Sequence, residues 1–237
     1  MNVIGFIPAR SGSTRLKNKN IKLINGEPLI FWTIHKALKS NKFDKLIFSS
    51  DSLKYFNILK KSLRKNKIKH AILEFDKRDI NYSRKKSKIF DYLKYDLIKK
   101  FNLQPNDLIV QMLPTCPLRS INTIKKLVNY SILSKKNSFS VSKYDFHISF
   151  ALSINNNNWK PLIKNSPLTT GKTQSQTQKI FYHPNGALNC LYVKTLNSRS
   201  KSIYKNATPI VIPENEAHDV DNNHDFKLVK FIMEMDE

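Results

Sequence analysis

Arg10, Ser11, Gly12, Ser13 and Lys19 fall within one polar stretch, Ile7–Asn20 (IPARSGSTRLKNKN), directly after an apolar run. Such residues suit an anion. Gly12 lets backbone amides approach it, the Ser11 and Ser13 hydroxyls donate, and Arg10 and Lys19 supply charge-assisted contacts. The stretch is neither a G-x-x-x-x-G-K-S/T loop nor a G-x-G-x-x-G fingerprint. Near the other end, His218-Asp219-Val220-Asp221-Asn222 sets two carboxylates one residue apart. In an extended backbone they point the same way. They suit Mg²⁺, which takes one or two carboxylates and completes its shell with water and phosphate oxygens. A competing reading makes Asp221 the cap of a final helix, and Asp51, ahead of Ser52, is open between a functional role and capping the helix that follows it.

Elements that would position these groups alternate between apolar runs of strand length and longer amphipathic stretches, which predicts an α/β fold with a mostly parallel sheet covered by helices. Expected strands are Val3–Ile7, Lys45–Ser50, Ala71–Phe75, Asp107–Leu113, Ser138–Ser142, Ala187–Val193 and Pro209–Ile212. Expected helices run from about Pro28 to Lys39, with Pro28 in the first turn, from Lys88 to Phe101 on the stripe Ile89, Leu93 and Leu97, from Asn122 onward, and from Asn222 to Met233. From about 144 to 181 the pattern is polar and irregular, with Asn at 155–158. The polar loop after the first strand lies where open α/β sheets bind ligands, at the carboxyl edge.

IPARSGSTRLKNKNIKLINGEPLIFWTI closely resembles the N-terminal signature of the acylneuraminate cytidylyltransferases, the CMP-sialic acid synthetases. Four later patches are similar to motifs of the same family: Phe43–Ser52 (FDKLIFSSDS), Leu113–Arg119 (LPTCPLR), Tyr182–Leu188 (YHPNGAL) and the Asp219/Asp221 pair. The resemblance implies a Rossmann-like fold of the nucleotide-diphospho-sugar transferase type with helices on both faces. It implies one cytidylyltransferase domain over 1–237, with about 144–181 as a small dimerisation and sugar-site lobe of a homodimer. The activity implied is transfer of CMP from CTP to the anomeric hydroxyl of an acidic 2-keto sugar, with release of pyrophosphate.

By the same resemblance Ala9, Arg10, Ser11, Gly12, Ser13, Lys19, Asn20 and Arg78 bind the nucleotide, and Thr115, His183, Asn185 and Gly186 line the sugar site. Asp219 and Asp221 hold Mg²⁺ (or Mn²⁺), and Arg10, Lys19 and Asp219 act in catalysis. Departures from the family pattern gather on the sugar side. Leu113 stands where Gln is usual, His183 where Arg is frequent, Arg84 where Asp is common, and Gln174-Ser175-Gln176 lacks an Arg-Gln pair. Cys116 replaces a common Ser, which makes it a poor nucleophile candidate. N-acetylneuraminate, legionaminate, pseudaminate or another nonulosonate is compatible with this pattern.

Other readings are a synthetase of the CMP-3-deoxy-manno-octulosonate type, or a sugar-1-phosphate nucleotidyltransferase. The first usually carries a G-D-E-P segment and the second a G-G-x-G-T-R type loop, neither of which occurs here. A third is a CTP-binding paralogue without turnover. A formal charge of +23 raises a further class, the nucleic-acid binders. Lysines spread along the whole chain among Asn and Ile, without a recognition-helix, zinc-finger or RNA-binding signature, so no nucleic-acid partner is expected. No apolar run approaches the ~18–20 residues of a membrane span, so no membrane association is expected. The N-terminus does not read as a secretion signal, and Cys116 and Cys190 have no metal-ligand spacing. A cytoplasmic enzyme is the expectation.

Overall fold

A computed structural model describes residues 1–84, 86–197 and 202–235. Its centre is a seven-stranded sheet of β1 (Val3–Pro8), β2 (Lys45–Ser50), β3 (Leu73–Lys77), β4 (Leu108–Met112), β5 (Ser138–Lys143), β6 (Tyr182–Tyr192) and β7 (Thr208–Val211). Across the sheet they run β7-β5-β6-β4-β1-β2-β3. β6 is antiparallel to both of its neighbours, and the other pairings are parallel. The chain leaves β1 toward β2 and β3 on one side and later inserts β4 on the other. β1 and β4 therefore flank a point where the order reverses, the usual ligand position of open parallel sheets.

Alternation along β1 explains why helices cover both faces. Val3 and Ile7 pack into one core with Ile30, Phe31 and Ile34 of α1 (Leu29–Ser40), Leu59 and Leu63 of α2 (Leu53–Lys65), and Ile124 and Leu127 of α3 (Ile121–Ser134). Ile4 and Phe6 face the other way, onto Tyr92, Leu93, Leu97 and Leu196. The predicted stripe at 89, 93 and 97 does turn inward. Its helix is not uniform, because Ile89–Tyr92 and Ile98–Lys100 are α-helical while Leu93–Leu97 forms a π turn.

A third apolar cluster bears directly on function. Leu16 of the front loop, Leu29, and Val220, Val229 and Met233 at the C-terminal end are buried together, with Trp32 and Phe226 against them. Burying each such side chain is worth about 1.5–3 kcal/mol. The cluster thus holds the two ends of the chain side by side, with α4 (Asn223–Met235) as the outer layer.

Several expected boundaries shift. Pro28 is the extended residue before α1 (φ −65°, ψ 147°) rather than a residue of its first turn. β6 is eleven residues long instead of starting at Ala187. A register shift between Pro184 and Asn189 lets the strand carry this extra length as an irregularity. The segment after β5 holds a hairpin of Leu152–Asn155 with Asn158–Pro161 and a short helix, Pro167–Thr170. No helix among the described residues is long and apolar enough to cross a membrane.

Candidate active site

Parallel pairing of β1 with β2 continues beyond Pro8, because the Ala9 N–H donates to the Ser49 carbonyl at 2.8 Å. At the next step a side chain takes over from the strand. The Ser11 N–H donates to Asp51 Oδ1 at 2.8 Å and the Ser11 hydroxyl to Asp51 Oδ2 at 2.6 Å. The expected cap at Asp51 is therefore not made: Ser52 is the N-cap of α2, without a side-chain cap bond, and Asp51 grips the front loop instead. The Ser11 hydroxyl, expected to face a ligand, is used inside the protein. Ser13 N–H is also used, donating to the Ser11 carbonyl at 3.0 Å. Among the described residues, the Gly12 N–H and the Ser13 hydroxyl make no hydrogen bond.

Below the loop, Asn20 is buried and donates through Nδ2 to the Arg10 carbonyl at 2.9 Å. Its Oδ1 is buried without a partner, an acceptor left over for a donor the protein does not supply. Arg78 is buried behind the loop, with Nε on Ser83 Oγ at 3.1 Å and its guanidinium 5.9 Å from the Tyr92 ring centre. Burial lowers the Arg78 pKa from the usual guanidinium range. Asp51, Tyr92 and Asp76 act against that shift, and the charge of Arg10 adds to it.

From the far end of the chain, the Val220 N–H donates to the Thr115 carbonyl at 2.8 Å, fixing the Asp219-Val220-Asp221 segment to the turn after β4. The segment is not a strand, so the strand alternation expected to align the two acids is not what positions them. Lys19 Nζ closes the arrangement: it donates to the Val220 carbonyl at 2.6 Å and lies 3.2 Å from Asp221 Oδ1. Arg15 Nη2 lies 2.9 Å from Asp221 Oδ2. Cys116 Sγ lies 3.8 Å from Asp219 Oδ1. Crowding by the surrounding protein pushes the Asp219 carboxyl above its ordinary range. Asp221 adds to the rise, while Thr115, Lys19 and Cys116 counter it.

Asp221 does not cap the last helix. Asn222 Oδ1 accepts from the His224 and Asp225 N–H groups at 2.7 and 3.1 Å, and Asp225 Oδ2 accepts from the Asp221 and Asn222 N–H groups at 2.8 and 2.9 Å. This reciprocal cap leaves the Asp221 side chain to the cations. Among the described residues no three His, Cys, Asp or Glu side chains converge. A cation at this place would have two carboxylates, a donor set that fits Mg²⁺ completed by water and phosphate oxygens better than a closed protein cage.

Among the residues expected to line a sugar site, Asn185 Oδ1 accepts from Ser140 Oγ at 2.6 Å and from the Ala187 N–H at 3.1 Å, so that oxygen serves the irregular stretch of β6. Gly186 has φ +71°, and a Cβ there would lie 3.0 Å from Leu113 Cδ1, two independent reasons for glycine. His183 sits opposite Ser142 with Nε2 3.3 Å from Ser142 Oγ, and its ring is 4.7 Å from Tyr144. Arg84 is exposed, outside these contacts.

Cys116 is buried, and its thiol is pushed up to about 12 by burial and then by Asp219, which disqualifies it as a nucleophile at neutral pH. Sequence reasoning left out Arg15, Arg119 and the Asp51 grip. Arg119 is buried, hydrogen-bonded to the Ala187 carbonyl and, at 3.1 Å, to Thr33 Oγ1, with its pKa lowered to about 10 by burial. Arg15 stands in the same basic string as Lys19, and that neighbourhood was the signal available for it.

Comparison with known proteins bears on the family and the fold. A family model described as Cytidylyltransferase matches residues 4–206. The chain is 27% identical to the CMP-N,N'-diacetyllegionaminic acid synthase of Legionella pneumophila over 100% of this chain and 98% of that one. It is 30% identical to an N-acylneuraminate cytidylyltransferase of Streptococcus agalactiae over 95% of its own length, and spans 52% of that protein. Among solved structures, CMP:2-keto-3-deoxy-manno-octonic acid synthetase complexed with CTP superposes with a TM-score of 0.65 at 12% identity, covering 100% of both chains.

Proposed function

Because the chain belongs to the cytidylyltransferase family and is a nucleotidyltransferase of the nucleotide-diphospho-sugar transferase fold, we propose that it transfers CMP from CTP to the anomeric hydroxyl of a nonulosonic acid. N-acetylneuraminate, legionaminate and pseudaminate are the acceptors in view, and pyrophosphate is the second product. One observation carries the reading: Lys19 Nζ bonds the Val220 carbonyl and faces Asp221, so the front loop and the acidic pair share one face.

Transfer at a phosphorus depends on in-line positioning and on neutralising charge that grows on the leaving group. Lys19, held by two partners, is a preorganised cation for the triphosphate, and Arg10 and Arg15 extend the positive field around it. Gly12 N–H, the Ser13 hydroxyl and the buried Asn20 Oδ1 are the remaining polar groups for phosphate and base, with Arg78 behind them. Thr115, His183, Asn185 and Gly186 form the acceptor side. Asp219 and Asp221 would hold Mg²⁺ or Mn²⁺, which when bound supplies polarisation of the α-phosphate and lowers the pKa of the attacking hydroxyl. No covalent step is required, and the perturbed Cys116 thiol takes none.

Two further features extend the proposal. Phe146, Ile154, Trp159 and Leu162 are each exposed in the segment after β5, with Ile154 and Trp159 paired across its hairpin, apolar side chains suited to a second copy of the chain in a homodimer. Cys116 and Cys190 are both unpaired and buried, which suits a reducing cytoplasm.

A panel of nucleoside triphosphates and acceptors, read by pyrophosphate release, tests the reading. Release that requires both CTP and a nonulosonic acid is expected. Release only with a sugar phosphate would replace it, and no release beside tight, salt-sensitive nucleic-acid binding would point to another class altogether.

A further inference from the structure

The β1–β2 ladder ends in an unusual way. After the Ala9 N–H to Ser49 carbonyl bond, the next acceptor for β1 is not a backbone carbonyl but the carboxylate of Asp51, which takes both the N–H and the hydroxyl of Ser11. Tyr55 OH approaches the Ser11 carbonyl at 3.4 Å from the same side. We propose that Asp51 is a positioning residue for the nucleotide: it locks the Ser11 peptide so that Gly12 N–H, the Ser13 hydroxyl and Arg10 are presented together to the triphosphate. The proposal rests on the assignment of the front loop to CTP.

A carboxylate in this place is otherwise hard to account for. It stands beside a site meant for a highly charged anion, where its own charge opposes binding. It does not cap α2, the role that its position before a helix suggests. What a carboxylate offers is two acceptor oxygens in one plane, matched here to two donors on one residue. An amide keeps only one of the two oxygens and puts an NH2 donor in place of the other, so asparagine cannot offer a separate oxygen to each donor as the carboxylate does. Asp51 also acts electrostatically on Arg78, which in turn feels Arg10, so the carboxylate offsets a cluster of cations under the loop. Fixing the loop before the ligand arrives removes an ordering cost from binding.

The two possible roles of Asp51 predict opposite signs. If it acted only through its charge, removing that charge would tighten CTP binding. If it positions the loop, removing it weakens binding although the net charge becomes more favourable. Equilibrium titration of the full-length protein with CTP and Mg²⁺ separates them, using Asp51→Asn, Ser11→Ala, the double variant and Ser11→Thr.

At least a tenfold loss of CTP affinity is expected for each single variant. The double variant should lose less than the sum of the single losses, because both act on the one Ser11–Asp51 interaction and share the hydroxyl bond. Ser11→Thr keeps both donors and should bind nearly as wild type. Thermal midpoints close to wild type would set these losses apart from unfolding, and Ser11→Ala serves alone if Asp51→Asn does not fold. Unchanged or tighter binding by Asp51→Asn, additive losses in the double variant, or failure of Ser11→Thr to bind would each overturn the proposal. Should the wild type bind another nucleoside triphosphate instead of CTP, the functional reading fails, and the same variants read with that nucleotide still decide the role of Asp51. Binding of no nucleotide at all would overturn both.

Discussion

The proposed nucleotide side and the proposed sugar side of this molecule are built on different principles. On the nucleotide side, groups from opposite ends of the chain are bonded directly: Lys19 reaches the Val220 carbonyl across 201 positions and Asp51 reaches Ser11 across 40. Buried Leu16 and Val220 tie the same elements together from below. On the sugar side, polar side chains are occupied with the irregular strand itself, Asn185 with Ser140 and Ala187, and His183 beside Ser142. The difference fits the proposed roles, since triphosphate chemistry calls for charges fixed in advance. The departures at Leu113 and His183 fall on the proposed sugar side.

Variants should expose this contrast in graded fashion. Asp221→Ala is expected to have the largest effect, a drop in kcat on the order of 10³-fold or more, by analogy with lost preorganised charge stabilisation. Its fold should survive, because Asn222 and Asp225 hold the helix cap without the Asp221 side chain. Near-normal turnover at saturating CTP and Mg²⁺ would remove the residue from the chemistry. Lys19→Ala comes next, at about 10²–10³ in kcat, and a loss below tenfold in steady-state kinetics would contradict it.

Arg119→Met should act on the seam between the two halves and through stability instead of chemistry. It leaves the Ala187 carbonyl and Thr33 Oγ1 without their donor, at a cost of roughly 2–4 kcal/mol in denaturant unfolding. His183→Ala should be milder still, less than about tenfold and confined to KM for the acceptor, since its bond to Ser142 is a single one of about 1 kcal/mol. An effect on kcat as large as that of Lys19→Ala would erase the contrast between the two sides.

The smallest effect concerns pH. Burial raises the Glu27 pKa, but hydrogen bonds from Lys65, Ser62 and Asn66 outweigh it and leave the carboxyl below its ordinary value. A group depressed in the folded state contributes stability above its unfolded pKa and loses it as pH falls through the folded one. Thermal midpoints should therefore drop on acidification through the acidic carboxylate range, and Glu27→Gln should flatten part of that drop.

Much of this was legible from residue order. The apolar runs placed all seven strands, the 89–93–97 stripe predicted burial, and the front string with the acidic pair marked the two ends that meet. What escaped were features set by partners distant in sequence. Asp51 before α2 looks like a helix cap, and only its proximity to Ser11 in space says otherwise. Asp221 looks like a cap too, until Asn222 and Asp225 are seen to share that task. The strand was expected to start only at Ala187 because nothing local reveals that β5 can hold Tyr182, His183 and Pro184 in a ladder. Arg119 gave no sign of being buried, since its acceptors come from two other elements.

The central claim is that the acidic pair holds a divalent ion against a triphosphate seated on the front loop. Calorimetric titration of CTP with and without Mg²⁺, into wild type and into the Asp219→Asn/Asp221→Asn double variant, tests it most directly. Mg²⁺ should strengthen CTP binding to the wild type by at least tenfold and leave the variant's binding almost unchanged. Equal enhancement in both proteins would contradict the account.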